Sequence, residues 1–173
     1  MLAAVLALIG VTAPSGQAEP AQTSTSDPTC HPDHRRAPAG FCELVEELGR
    51  FESARSGPVV DGIPTMEVFY SPAWGTGIHI QSVALVSPTT QGFKVLWSHL
   101  VLEVSDVMPD RYPASANVYE WRYASDARRI TVTGTRTEGA VVDMREGRVD
   151  GERTSLPDKA WCYVTGIRAF ESC

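Results

Sequence analysis

The sequence predicts a mainly β domain: an antiparallel up-and-down meander of about 7–8 strands, barrel-like with a sandwich as the alternative, preceded by one short helix. Three observations carry this. Residues 77–86 and 93–104 are long alternating runs joined by the breaker-rich Ser87-Pro88-Thr89-Thr90-Gln91-Gly92, a clear hairpin signal. Short β-branched and aromatic runs recur downstream between turn-forming residues. Only residues 41–55 carry an apolar stripe at helical spacing.

Composition bounds the rest. At 173 residues, with 43% hydrophobic and 21% charged, the chain suits one folded domain. A formal net charge of −6 argues against nucleic-acid binding, which needs a basic surface to displace counterions. Residues 1–18 read as a signal peptide. A short apolar run from Leu2 to Val11 precedes Pro14 and Gly16-Gln17-Ala18, whose small residues suit cleavage after Ala18. No Lys or Arg precedes the run, which departs from the usual pattern. The run is too short to span a bilayer, so no stable membrane insertion is expected once it is removed. The expected location is periplasmic or extracellular.

Cys30, Cys42, Cys162 and Cys173 are even in number and contain no C-x-x-C pair, as for disulfides formed in an oxidising compartment. Cys30–Cys42 with Cys162–Cys173 is the favoured pairing because both loops are short; bridges between the two ends are the competitor. Asp27-Pro28-Thr29 lacks the small apolar residues of a lipoprotein acceptor site before Cys30.

Residues 19–40 are rich in Pro, Thr, Ser and Ala and read as a flexible lead-in to a single β-rich domain at 41–173. Within the lead-in, Cys30-His31-Pro32-Asp33-His34-Arg35-Arg36 offers metal-ligand residue types. It has no ligand-pair spacing, so a disulfide cysteine beside a polar turn is preferred, and no metal or cofactor is implied.

In residues 41–55, Phe41, Leu44, Val45, Leu48 and Phe51 form the helical stripe, and Gly57-Pro58 is a plausible stop. Gly49 weakens that length; the alternative ends the helix near Glu47 and starts the first strand at Arg50. Glu43, Glu46, Glu47 and Glu52 read as the solvated face of the helix. Strands are then expected at 65–70, 77–86, 93–104, 117–123, 129–135, 140–145 and 160–166, with turn chemistry at 71–76 and at Asp150-Gly151. Leu48-Gly49-Arg50-Phe51, after a short helix and before a run of strands, resembles the G-x-W opening of lipocalins, with Phe51 in place of the tryptophan. The resemblance covers these residues only and implies a barrel; no lipocalin ligand or site residue follows from it.

In the hairpin, Ile78, Ile80, Ser82, Ala84 and Val86 are expected on the core face, opposite Leu96, Ser98, Leu100, Leu102 and Val104. Matching these faces places His79 near His99 and Gln81 near Trp97, and extending to the preceding strand adds Glu67 and Phe69. Glu67, His79, Gln81, Trp97 and His99 are therefore the candidate binding residues. A solvated sheet face is the simpler reading of them. Tyr119, Trp121 and Tyr123, with Arg122 beside them, offer a stacking surface for sugars, with core packing as the preferred alternative.

The sequence contains no G-x-S-x-G, P-loop, H-E-x-x-H or EF-hand loop. The expected function is a non-enzymatic binding or interaction module whose partner is an unknown small molecule or protein. The alternatives are a small hydrolase or metal-dependent enzyme using the His79/His99 face, and a structural or assembly component working through an exposed sheet edge.

Overall fold

The computed structural model describes residues 28–31, 34–107 and 110–173. The expected signal peptide, residues 1–18, and the first part of the lead-in lie outside the described residues. Short strands β1 (Thr29–His31) and β2 (His34–Arg36) pair with each other. Helix α1 (Phe41–Leu48) follows, then β3 (Arg50–Ser56), β4 (Met66–Gly75), β5 (Ile78–Thr89) and β6 (Gly92–Ser105). The chain continues through β7 (Ala114–Ala124), β8 (Arg129–Asp143), β9 (Arg148–Val164) and β10 (Ala169–Ser172). Strands β3 to β10 form one antiparallel sheet of eight strands in sequential order.

The expected barrel is not formed. The sheet is open, with β3 and β10 at its ends and no pairing between them. The physical cause is visible at β6. It pairs with β7 only between Ser105↔Ser115 and Leu102↔Val118, and beyond Val118 the two strands part. The second half of the sheet then folds across one face of the first instead of continuing around to β3. Val83, Leu85 and Trp97 of the first half share a buried cluster with Ile130, Val132, Tyr163 and Phe170 of the second.

The opposite face of the first half is covered by α1. Phe41 and Val45 are fully buried against Ala54, Val68, Tyr70, Ala84 and Val86. The helix ends at Gly49, whose φ of 151° suits glycine and whose backbone lies close against Ser71 and Pro72. Strand structure therefore begins at Arg50, as in the shorter of the two helix expectations. Glu43, Glu46 and Glu47 are exposed on the helix, whereas Glu52 belongs to β3.

Several strand boundaries differ from expectation. Residues 71–75 continue β4 through a bulge instead of forming a turn. Asp150 and Gly151 lie within β9, and the β8–β9 turn falls at residues 144–147. Gly139 and Gly151 face each other across β8 and β9, where a Cβ on either would collide with the partner strand's backbone. The tip of this hairpin folds over the first half of the sheet, bringing Val149, Val141 and Met144 against Leu102, Val104 and Ala116.

Both favoured disulfides are present. Cys30–Cys42 ties β1 to α1, and Cys162–Cys173 ties β9 to the end of the chain, with Cα separations of 5.3 and 5.5 Å. The Cys30 thiolate of the suggested metal motif is thus consumed. Among the described residues no helix is long and apolar enough to cross a membrane. Closing a loop of this length removes unfolded-state entropy, so the double substitution Cys162→Ser/Cys173→Ser should cost about 3 kcal/mol. Urea unfolding of the oxidised protein checks this; an unchanged midpoint would show that the bridge does not constrain the unfolded chain.

Candidate functional site

The β5–β6 register decides where the candidate residues go. It shifts twice, between Gln81 and Ser82 and between Leu85 and Val86, because β6 inserts one extra residue at each point. Val83 consequently faces His99, Leu85 faces Trp97, His79 faces Val104 and Gln81 faces Leu102. The two histidines share a face of the sheet. They are displaced by four residues along the strand, roughly 13 Å at about 3.3 Å per residue. The expected His79–His99 and Gln81–Trp97 pairings are corrected accordingly: the hairpin turns tightly, with Thr89 opposite Gly92, in place of the expected longer connection over 87–92, and the two bulges move the partners further along β6.

The expected sidedness also fails at this end of the hairpin. His79 is 5% exposed and Ile78 is 37% exposed, because the β8–β9 tip covers the side that His79 occupies. The five candidates therefore separate into three places.

His79 and Gln81 line a cleft of about 410 Å³ together with His31, Arg50, Phe51, Glu52, Ser71 and Arg145. These side chains come from β1, β3, β4, β5 and the β8–β9 turn. The Ser71 hydroxyl donates to one oxygen of Glu52 and the Gln81 side-chain amide donates to the other. A carboxylate offers about four acceptor positions, so these two bonds orient Glu52 without exhausting it. Ser71 is committed to the carboxylate directly. A nucleophilic triad instead needs the serine on the histidine and the histidine on the acid.

Trp97 and His99 belong to an aromatic cluster where β6 and β7 part. The His99 ring stacks on Trp97 at 6.0 Å and meets Tyr119 and Trp161 edge-on at 5.2 and 5.1 Å. Trp97 also contacts Trp121 and Trp161 at 5.4 and 5.7 Å. Rings packed edge to face and offset in this way satisfy one another's quadrupoles, which is core behaviour. Tyr119, Trp121 and Tyr123 are half-buried on the edge of this cluster, in keeping with the packing alternative. The Leu100 carbonyl lies 2.7 Å from His99 Nδ1 and can only accept, so Nδ1 carries the proton and Nε2 is the lone-pair nitrogen of the neutral ring. Burial lowers the His99 pKa; the hydrogen bond to Leu100 opposes this and the positive charge of Lys159 adds to it.

Glu67 stands in a third place. It is buried and held by Arg55 at 2.7 Å from Nε and 2.6 Å from Nη2. Arg55 also lies over the Phe69 ring, 5.2 Å from its centre. Glu67 and Trp97 both flank Leu85 on one face, two strands apart.

No group of three or more His, Cys, Asp or Glu side chains is placed to hold a metal, and no free cysteine is present, among the described residues. Sequence reasoning missed Glu52, Ser71, Arg50 and Arg145 as companions of His79. Glu52 looks like one more acid on a helix, and Arg145 lies more than sixty positions from His79 in the chain. Comparison with known proteins finds no matching family model, curated relative or solved structure.

Two outcomes test this assignment. Trp97 is buried and its indole N–H finds no acceptor among the described residues. Trp97→Ala should cost about 3–5 kcal/mol. Trp97→Phe should cost less than half as much, because it also removes the unsatisfied donor. Chemical denaturation of both variants measures the difference. For His99, the folded pKa lies below the unfolded value of about 6.5. Between these two values the unfolded chain binds more protons, so stability rises with pH and is lost as pH falls through that window. Melting curves between pH 7 and pH 5 should show a steeper loss for the wild type than for His99→Gln; equal slopes would refute the burial account.

Proposed function

We propose that the chain is an exported, non-enzymatic binding module that holds a small polar ligand in the cleft of His79, Gln81 and Glu52. The single observation behind this reading is the convergence of polar side chains from five separate segments on one concavity of about 410 Å³. That volume lies within the range typical of small-molecule sites, roughly 300–1,000 Å³. Two arginines in the lining favour an anionic group on the ligand, and the remaining acceptor capacity of Glu52 favours a hydroxyl or ammonium beside it. A small hydroxy acid or amino acid carries both. The disulfides support a periplasmic or extracellular compartment, where such bonds persist.

The hydrolase or metal-enzyme alternative rests on His79 and His99 acting together. Their separation along the sheet leaves that alternative without its constellation.

A thermal-shift panel of hydroxy acids, amino acids and inorganic phosphate tests the proposal. A ligand present at 100 times its Kd adds about 2.7 kcal/mol of stability, or roughly 5–10 °C in Tm for a domain of this size. The shift should disappear in Gln81→Ala and Arg145→Ala. An unchanged shift in both variants would move the site elsewhere, and no shift from any panel member at 10 mM, a concentration about 100 times a Kd of 0.1 mM, would reject this ligand class.

A further inference from the structure

Five stretches of this open sheet leave main-chain edges without a strand partner among the described residues, and they are not equivalent. The β6 edge from Gly92 to Val101, from which β7 has parted, carries both bulges of that strand. The β3 edge carries a bulge between Phe51 and Ser53. The β10 edge is only four residues long. The β9 edge beyond the reach of β10 holds Pro157, which has no N–H, and the exposed charges Glu152, Arg153, Asp158 and Lys159. Each of these is a device that discourages pairing with another chain.

The fifth stretch has neither proline nor bulge, and its two exposed charges, Glu120 and Arg122, are of opposite sign. From Tyr119 to Ala124, β7 is paired with β8 on one side in unbroken register. On its other side the pairing with β6 has already ended at Val118. The stretch contains no proline and no bulge, and it spans roughly 20 Å of extended backbone. A groove of about 550 Å³ lies beside it, with Trp121, Arg122 and Tyr123 on one wall and Arg55–Pro58 and Glu67 on the other. Trp121 and Tyr123 alternate with Glu120 and Arg122, so a strand added here meets aromatic rings on its inner side and a carboxylate beside a guanidinium on its outer side. Arg122 makes no ion pair among the described residues, unlike Arg55, which Glu67 neutralises.

We propose that this free edge of β7 is a docking site for an extended peptide segment of a partner protein, in which apolar residues alternate with charged ones, an acidic residue opposite Arg122 and a basic one opposite Glu120. Main-chain hydrogen bonds to residues 119–124 supply the affinity. Apolar side chains pack on Trp121 and Tyr123, and a carboxylate opposite Arg122 sets the register. The site is distinct from the His79 cleft, and neither proposal depends on the other.

The probe is a blocked hexapeptide with valine at alternate positions and glutamate and lysine between them, titrated into the full chain and followed by backbone amide NMR and hydrogen exchange. Amides of residues 119–124 should shift and gain protection. Of two peptides N-methylated at alternate residues, the one that loses its edge-facing N–H groups should fail to bind while the other binds. Arg122→Glu should weaken binding about tenfold, and a valine–lysine peptide should restore it to that variant. The proposal is overturned if no amide shifts at millimolar peptide, if the shifts fall on the β9 edge or the cleft, or if both N-methylated peptides bind equally. It is also overturned if the β7 edge proves to pair with a second copy of this chain, seen as concentration-dependent protection of residues 119–124 without peptide.

Discussion

Burial of β5 on both of its faces is the constraint on which the rest of the structure depends. Val83, Ala84, Leu85 and Val86 are all fully buried, although consecutive strand residues point in opposite directions. Each of the three larger side chains contributes roughly 1.5–3 kcal/mol when taken out of water. That gain needs a cover on each side. Ala84 and Val86 receive α1, held in place by Cys30–Cys42. Val83 and Leu85 receive the second half of the sheet, with Ile130, Val132, Tyr163 and Phe170. An eight-stranded meander can bury one face by closing into a barrel. Here the second half must lie flat against β5, so the sheet folds over and remains open.

The parting of β6 and β7 follows from that fold, and the functional geography follows from the parting. Where the strands separate, the gap is filled with rings: Trp97 and His99 from one strand, Tyr119 and Trp121 from the other. Two bulges in β6 aim these side chains and increase the local twist. The same parting leaves the far end of β7 without a partner strand. At the opposite end, the tip of the β8–β9 hairpin reaches over Leu102 and Val104 and carries Arg145 into the cleft of His79 and Glu52. The two recognition surfaces are thus consequences of one folding choice.

Electrostatics separate the roles of the two histidines. His99 sits among aromatic rings, has its Nδ1 proton on the Leu100 carbonyl and is biased towards the neutral state by burial. It behaves as an aromatic packing residue with one polar tether. His79 lies among charged and hydrogen-bonding groups, in a cleft whose carboxylate is oriented by Ser71 and Gln81. Shared residue type and shared sheet face do not give these two side chains a shared function.

Local physics was legible in the sequence. Alternation located the central hairpin, the stripe of Phe41, Leu44, Val45 and Leu48 located the helix, and short loops pointed to both disulfides. These features depend on neighbours within about a dozen residues. The pairing of His79 with Val104, the approach of Arg145 and the release of the β7 edge were not legible. A single inserted residue in β6 reverses which side chains face each other, and composition does not mark where it occurs. The cover over His79 comes from a hairpin more than sixty residues later in the chain. The sequence by itself determined an antiparallel, disulfide-stapled β domain. The tertiary structure decided which face of each strand is buried and whether the sheet closes, because burying β5 on both sides is a contest between segments far apart in the chain.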